Sequence, residues 1–139
     1  MGAASLERGL VHYELAEGRA FKAADVTTFL GNLKAKCSPD MLFTVFWDNC
    51  SIHTTKVVQI FCEAEEINLI TNVSYRPELN GIEHVWAWAK HVYRGKLDRF
   101  KALEEDWDQS ALVKQILQEV PMSIAMNSIR RGWQNIEKA

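Results

Sequence analysis

Cysteine, proline and glycine are all scarce in this 139-residue chain, which has three Cys, three Pro and seven Gly. Cys37, Cys50 and Cys62 are an odd number with no close pair. That pattern excludes a disulfide framework and a zinc ribbon and fits a reducing compartment. No linker, repeat or low-complexity tract interrupts the chain, so residues 1–139 read as a single unit. An excess of one charge is also absent: 16 Lys+Arg against 18 Asp+Glu give a net charge of −2. Bulk positive charge therefore cannot hold nucleic acid, and any such role needs a local patch. No apolar run reaches the roughly 18 residues of a membrane span. Met1 to Ser5 lacks the basic region and long apolar stretch of a secretory signal, and an intracellular location is expected.

Apolar residues are plentiful, at 47% with five tryptophans, enough for a core at this length. Met1 to Leu6 and Leu10 to Leu15 flank a Glu7-Arg8-Gly9 turn and predict a hairpin. Asp25 reads as the N-cap of a helix whose Val26, Phe29, Leu30 and Leu33 fall at i, i+3, i+4 and i+7, closed by Ser38-Pro39. Met41 to Trp47 is a continuous apolar run that suits a strand buried on both faces. Helical spacing returns between Thr54 and Glu66. Ile67 to Thr71 is a short strand, and a loop follows with Tyr75-Arg76-Pro77. A further helix spans Gly81 to Arg94, with Ile82, Val85, Trp86 and Ala89 on its apolar face. Leu97 to Ile136 reads as helices broken near Pro121, packed through residues that include Leu103 and Trp107. Strands alternating with helices predict a mixed α/β layer with some parallel pairing.

Asp48 lies where a buried strand stops, and Glu83 in the first turn of a helix, with 34 residues between them. Polar groups beyond strand C-termini line the usual crevice of an open α/β sheet. Two carboxylates converging there suit a hard divalent cation, which takes a few carboxylates plus waters and phosphate oxygens. On spacing alone the plainer reading is stronger: Asp48 starts a turn and Glu83 offsets a helix N-terminus.

The literal residues change that balance. Phe46-Trp47-Asp48-Asn49-Cys50-Ser51-Ile52-His53 resembles the D-N-x-x-x-H block of DDE-type transposases, the mariner-like and related bacterial insertion-sequence superfamily. Tyr75-Arg76-Pro77-Glu78-Leu79-Asn80-Gly81-Ile82-Glu83-His84-Val85-Trp86, with Lys90 beyond, is similar to the family's Y-x-P-x-L-N-P-I-E-x-x-W-x-x-x-K block. Looser likeness extends to a hairpin over Ala3 to Gly18, a helix over Phe29 to Leu33, and closing helices to Arg130. The resemblance implies an RNase H-like mixed sheet flanked by helices, with a helical C-terminal tail. It implies metal-dependent DNA cleavage and strand transfer at transposon ends. Asp48 would be the second metal-binding acid and Glu83 the third, each catalytic, holding two Mg²⁺ or Mn²⁺ ions in the complete domain. Asn49 and Asn80 would support loop geometry, and Trp86 would pack the helix onto the sheet. Nuclear location is expected for a eukaryotic source and cytoplasmic for a bacterial one.

Two departures stand out. Gly81 occupies the family's proline position, which frees the backbone where the helix begins. The family's first acid lies on a strand preceding the hairpin, and no matching strand is found in this sequence. Glu7, Glu14, Asp25 and Asp40 do not stand in its context. One partial catalytic domain over residues 1–139, weak or inactive alone, is therefore expected.

His53, five residues after Asp48, suits either contact with metal-bound water or DNA, or a local hydrogen bond at the next helix. His84 and His91 lack the His-Glu-x-x-His spacing of zinc proteases. Asp48, Ser51 and His53 are too local for a catalytic triad. From Lys90 to Lys101 five basic residues face the single acid Asp98, with Tyr93 and Phe100 interleaved. That stretch reads equally as a phosphate track and as a solvated helix face. Arg76, Lys90, Arg94 and Lys96 are the candidate DNA contacts. The alternative reading is a remnant or domesticated domain that binds nucleic acid or protein. The open sheet edge left by a missing strand would then invite self-association.

Overall fold

The computed structural model describes residues 1–39 and 42–138. Asp40, and Met41 at the start of the expected third strand, lie outside them. The order is β1 (Gly2–Ser5), β2 (Gly9–Tyr13), α1 (Ala23–Lys34), β3 (Thr44–Trp47), α2 (Lys56–Ala64), β4 (Asn68–Thr71), α3 (Ile82–Ala102), α4 (Gln109–Gln118) and α5 (Met122–Lys138). A 3-10 turn at Pro77–Leu79 leads into α3. The architecture is mixed α/β, as the alternation predicts.

The hairpin β1–β2 is antiparallel, with a register irregularity between Ala3 and Ala4. Gly9 reverses it at φ +67°, a left-handed conformation that glycine adopts without steric cost. β3 and β4 pair in parallel, from Thr44 opposite Asn68 to Trp47 opposite Thr71, with α2 as the crossover. The single mixed sheet of the expectation is thus two two-stranded sheets. Among the described residues no strand bridges β1 and β3.

This division also corrects the expectation of a strand buried on both faces. Thr44 is exposed, Val45 and Phe46 are half-buried, and Trp47 alone is buried, because β3 has a strand partner on one edge only. The apolar stripe of α1, made by Val26, Phe29, Leu30 and Leu33, packs with Trp47, Val58, Cys62 and Ile67 to form the core. Burial pushes the Cys62 thiol pKa up. Asp25 is not the N-cap of α1; Lys22 is. One turn further in, the Asp25 carboxylate accepts the Lys22 backbone N–H at 2.7 Å, the reaching-back half of a capping box.

The other buried apolar residues, Leu79, Val85, Leu112, Ile116, Leu117 and Ala125, lie in or beside α3, α4 and α5, and α3 packs on both α4 and α5. α4 is capped by Asp108, whose carboxylate accepts from the N–H groups of Ser110 and Ala111. Leu103 and Trp107 lie outside the core: both are exposed in the loop between α3 and α4, where Trp107 stacks on Phe100 of α3 with ring centroids 6.4 Å apart. α3 runs beyond Arg94 to Ala102, so the whole basic stretch is helical.

Gly81 has an ordinary helical backbone, φ −56° and ψ −27°. Space, rather than conformational freedom, is what it provides. A Cβ at Gly81 would lie 2.6 Å from Ile129 Cα, and one at Gly132 would lie 2.8 Å from Gly81 N. The paired glycines let α5 cross directly on the start of α3.

Candidate metal site at the end of β3

The side chains at the end of β3 are tied together locally. His53 stacks on Trp47 with ring centroids 4.4 Å apart and planes 9° from parallel. Its Nδ1 lies 2.9 Å from Asp48 Oδ1 and 3.3 Å from the Asp48 carbonyl oxygen. The Cys50 backbone N–H also donates to Asp48 Oδ1, at 3.3 Å. One carboxylate oxygen is therefore fixed by the turn that follows the strand. Such fixing is characteristic of metal-ligating carboxylates, which are themselves hydrogen-bonded from behind. His53 bonds back to Asp48 rather than capping the next helix, whose N-cap is Thr55.

Glu83 is half-buried in the first turn of α3. Its carboxylate has no hydrogen-bond or ion-pair partner among the described residues. Asn80, buried, lies three residues before it, and the Asn80 carbonyl accepts the Glu83 backbone N–H at 3.1 Å. Asp48, His53, Asn80 and Glu83 all line one groove of about 790 Å³. All four residues of β1 and all four of β3 line it too, over Val26, Leu30 and Leu33 of α1. Both small sheets therefore contribute to the wall of the groove. Trp86, at i+3 from Glu83, lies against Gly2 of β1 so closely that a Cβ there would not fit. It packs α3 onto the hairpin.

Asn49 is placed differently from Asn80. It is exposed, and its Nδ2 donates to Ser74 Oγ at 2.7 Å, tying the β3 turn to the loop after β4. Asn72 was not singled out in the sequence, yet it organises this loop. Its side chain is buried, its backbone N–H donates to the Trp47 carbonyl at 2.8 Å, and its Nδ2 donates to the Arg76 carbonyl at 2.7 Å. The available signal was its position: it ends β4 as the Asp48-Asn49 pair ends β3.

The four candidate DNA contacts separate by environment. Arg76 pairs with Glu78, and the guanidinium hydrogen bond holds the Glu78 carboxyl below the usual range. Lys96 faces α4, where its Nζ lies 3.6 Å from Glu119 Oε2. Lys90 and Arg94 are exposed, with no carboxylate partner among the described residues. They follow Glu83 at i+7 and i+11, on the same face of α3, ~10 Å and ~16 Å along its axis.

Three carboxylate residues, Glu7, Asp48 and Glu83, line the groove; Asp48 and Glu83 are the pair within the two motifs, and a Mg²⁺ ion keeps several waters and takes one or two carboxylates. Among the described residues no group of three or more His, Cys, Asp or Glu side chains gathers to hold a metal. Asp48 and Glu83 are the residues of this groove that would hold a hard cation, with water completing its shell.

Asp48 at the end of a parallel strand and Glu83 where a helix begins thus share one groove of an α/β fold. The chain belongs to the DDE superfamily endonucleases, whose pattern it matches over residues 1–105. Its fold is similar to solved structures of Mos1 transposase. Against the Mos1 transposase catalytic domain with raltegravir and Mn, the TM-score is 0.75 at 19% identity, covering 95% of this chain and 68% of that one. Against the Mos1 strand transfer complex it is 0.71 at 23% identity, covering 95% and 38%. The paired-end complex with the left transposon end gives 0.72 at 23%, covering 95% and 39%. The chain thus spans under two fifths of the Mos1 chain in the two DNA-containing assemblies. No curated protein gives a significant match.

Proposed function

We propose that residues 1–139 form part of the catalytic core of a DDE transposase, which cuts DNA at transposon ends and joins it to a target. The observation that carries this reading is the placement of Asp48 and Glu83 on one groove, with the Glu83 carboxylate unpartnered and one Asp48 oxygen held from behind. Both acids act as ligands to Mg²⁺ or Mn²⁺. A cation bound there supplies Lewis-acid activation of an attacking water or 3′-hydroxyl. His53 holds the Asp48 carboxylate in one orientation, Asn49 fixes the turn that presents it, and Asn80 starts the turn that presents Glu83. Lys90 and Arg94 take the phosphate backbone along α3.

An RNase H-like sheet whose first acid stands on a further strand is supported by the groove itself. β1 and β3 both line it, and each has a strand partner on one edge only among the described residues. The Gly2 end of β1 lies against Trp86 on the Glu83 helix, while Arg8, just past its other end, donates to the Lys36 carbonyl beyond α1. A further strand could pair with either open edge. Two acids in place of three predict a weak or inactive chain, since cleavage of this kind depends on positioning and charge stabilisation.

The test is Mn²⁺ titration of the folded chain by electron paramagnetic resonance, alongside Mg²⁺-dependent cleavage of plasmid DNA. Asp48→Asn and Glu83→Gln should each weaken Mn²⁺ binding at least tenfold, with slow or no cleavage by the parent chain. Binding unchanged by either substitution would remove the site. Robust cleavage abolished by Asp48→Ala would show that the acids present suffice. The open edges of β1 and β3 favour one further reading, a binding module that pairs through them with a second chain. Size-exclusion chromatography giving a monomer at all concentrations would count against it.

A further inference from the structure

One hydrogen bond away from the turn that follows Asp48, the structure displays an aromatic ring that takes no part in the core. Tyr75 is 99% exposed, the most exposed of the large apolar side chains described. Its backbone adopts φ +61°, a left-handed conformation unfavourable for a bulky residue. Its hydroxyl has no hydrogen-bond partner among the described residues. A loose loop would relax such a conformation, but this one is fastened on both sides of the ring. Ser74, immediately before, accepts from Asn49 at 2.7 Å, and Asn49 immediately follows Asp48. Arg76, immediately after, has its carbonyl held by the buried Asn72 side chain and its guanidinium held by Glu78. Val73 of the same loop is also exposed. A strained, anchored backbone thus presents a solvated ring a few residues from a carboxylate that binds metal and DNA in the reading above.

We propose that Tyr75 is a nucleobase-stacking residue, its ring packing on an unpaired base of the DNA strand that the Asp48–Glu83 site holds. Anchoring matters because a ring fixed in advance loses little freedom on binding. Every base offers a π-face, so the contact is tolerant of sequence and demands only that the base be out of the duplex stack. The inference rests on the DNA reading and goes beyond it by assigning a residue and a strand state.

The test uses the whole chain with Mg²⁺ and oligonucleotides carrying 2-aminopurine, either in a single-stranded 3′ overhang or within a blunt duplex. Tyr75→Gly should lower affinity for the overhang substrate about tenfold and abolish quenching of the 2-aminopurine. Tyr75→Phe should keep both within twofold. Tyr75→Gly should also raise Tm, because glycine relieves the left-handed backbone, so lost affinity cannot be assigned to misfolding. Affinity and quenching unchanged in Tyr75→Gly would overturn the proposal. So would equal losses in Tyr75→Phe, or the same dependence on the blunt duplex. Failure of the parent chain to bind any of these DNAs would instead overturn the transposase reading beneath it.

Discussion

Replacing Gly132 by alanine is the most discriminating probe of how the Glu83 helix is held. In an open helix, Gly→Ala stabilises by about 1 kcal/mol, because alanine loses less conformational freedom on folding. Here the added Cβ would lie 2.8 Å from Gly81 N, 3.0 Å from Gly81 Cα and 3.1 Å from the Leu79 carbonyl oxygen. All three are backbone atoms, so no flexible side chain can swing aside. Overpacking of a closed site costs about 1–3 kcal/mol, and backbone on both sides puts this site at the upper end. Subtracting the helix gain leaves a net loss of about 1–2 kcal/mol. For a chain of this length each kcal/mol moves Tm by about 3–5 °C, so a fall of roughly 3–10 °C is expected by differential scanning calorimetry. Lys138→Ala near the end of α5, where no contact opposes it, serves as the control for Tm scatter. The same displacement moves α5 off the start of α3, so Mn²⁺ affinity should fall with Tm. A Gly132→Ala protein with a raised Tm would show that α5 does not cross on Gly81, and the account of how Glu83 is positioned would fail.

Three further outcomes follow from named contacts. His53→Gln, which removes the ring behind Asp48, should weaken Mn²⁺ binding about 10- to 100-fold by titration with little change in Tm; unchanged affinity would make the pair a local turn only. Lys90→Ala and Arg94→Ala should each reduce the salt dependence of DNA affinity by about one ion, whereas Lys96→Ala, on the α4 side beside Glu119, should leave the slope unchanged. Asp25 accepts two hydrogen bonds from Arg19, at 2.6 and 2.8 Å, and one from the Lys22 N–H, which depress its carboxyl well below the usual range. The fold favours its charged form, so its contribution is complete above the unfolded pKa of about 4 and is lost as pH falls through the lower folded value. Asp25→Asn should therefore flatten the acid limb of a urea-stability profile below about pH 4; a limb of unchanged steepness would refute that assignment.

The elements legible in the sequence were those with a local cause. The α1 stripe of Val26, Phe29, Leu30 and Leu33, the Gly9 turn and the break at Pro121 each announce themselves within a few residues. The two acids were legible through the residues around them, and their shared groove through their places at a strand end and a helix start. What failed depended on partners far away in the chain. Burial of β3 was overstated because an apolar run does not reveal whether its second edge is paired. Leu103 and Trp107 looked like core because helical spacing continues past the true end of α3. Gly81 was read as a matter of backbone freedom, whereas its neighbour in space is Ile129, 48 residues away. Asn72 escaped notice because a buried asparagine at a strand end looks the same in sequence as a turn residue.

The hairpin that opens the chain has its main packing partners at the other end of it. A two-stranded ribbon is marginal in water by itself, and β1 and β2 rest against α5 and α3, with Gly9 closing on Met122 and Ala125. α5 begins 109 residues after β2 ends. On a ribosome adding about 5–20 residues per second, the hairpin would wait roughly 5–20 s for the helix that supports it. During that interval its unpaired edges, and that of β3, are open to any other nascent strand. The order of synthesis therefore makes the arrival of α5 the step that fixes the hairpin in place.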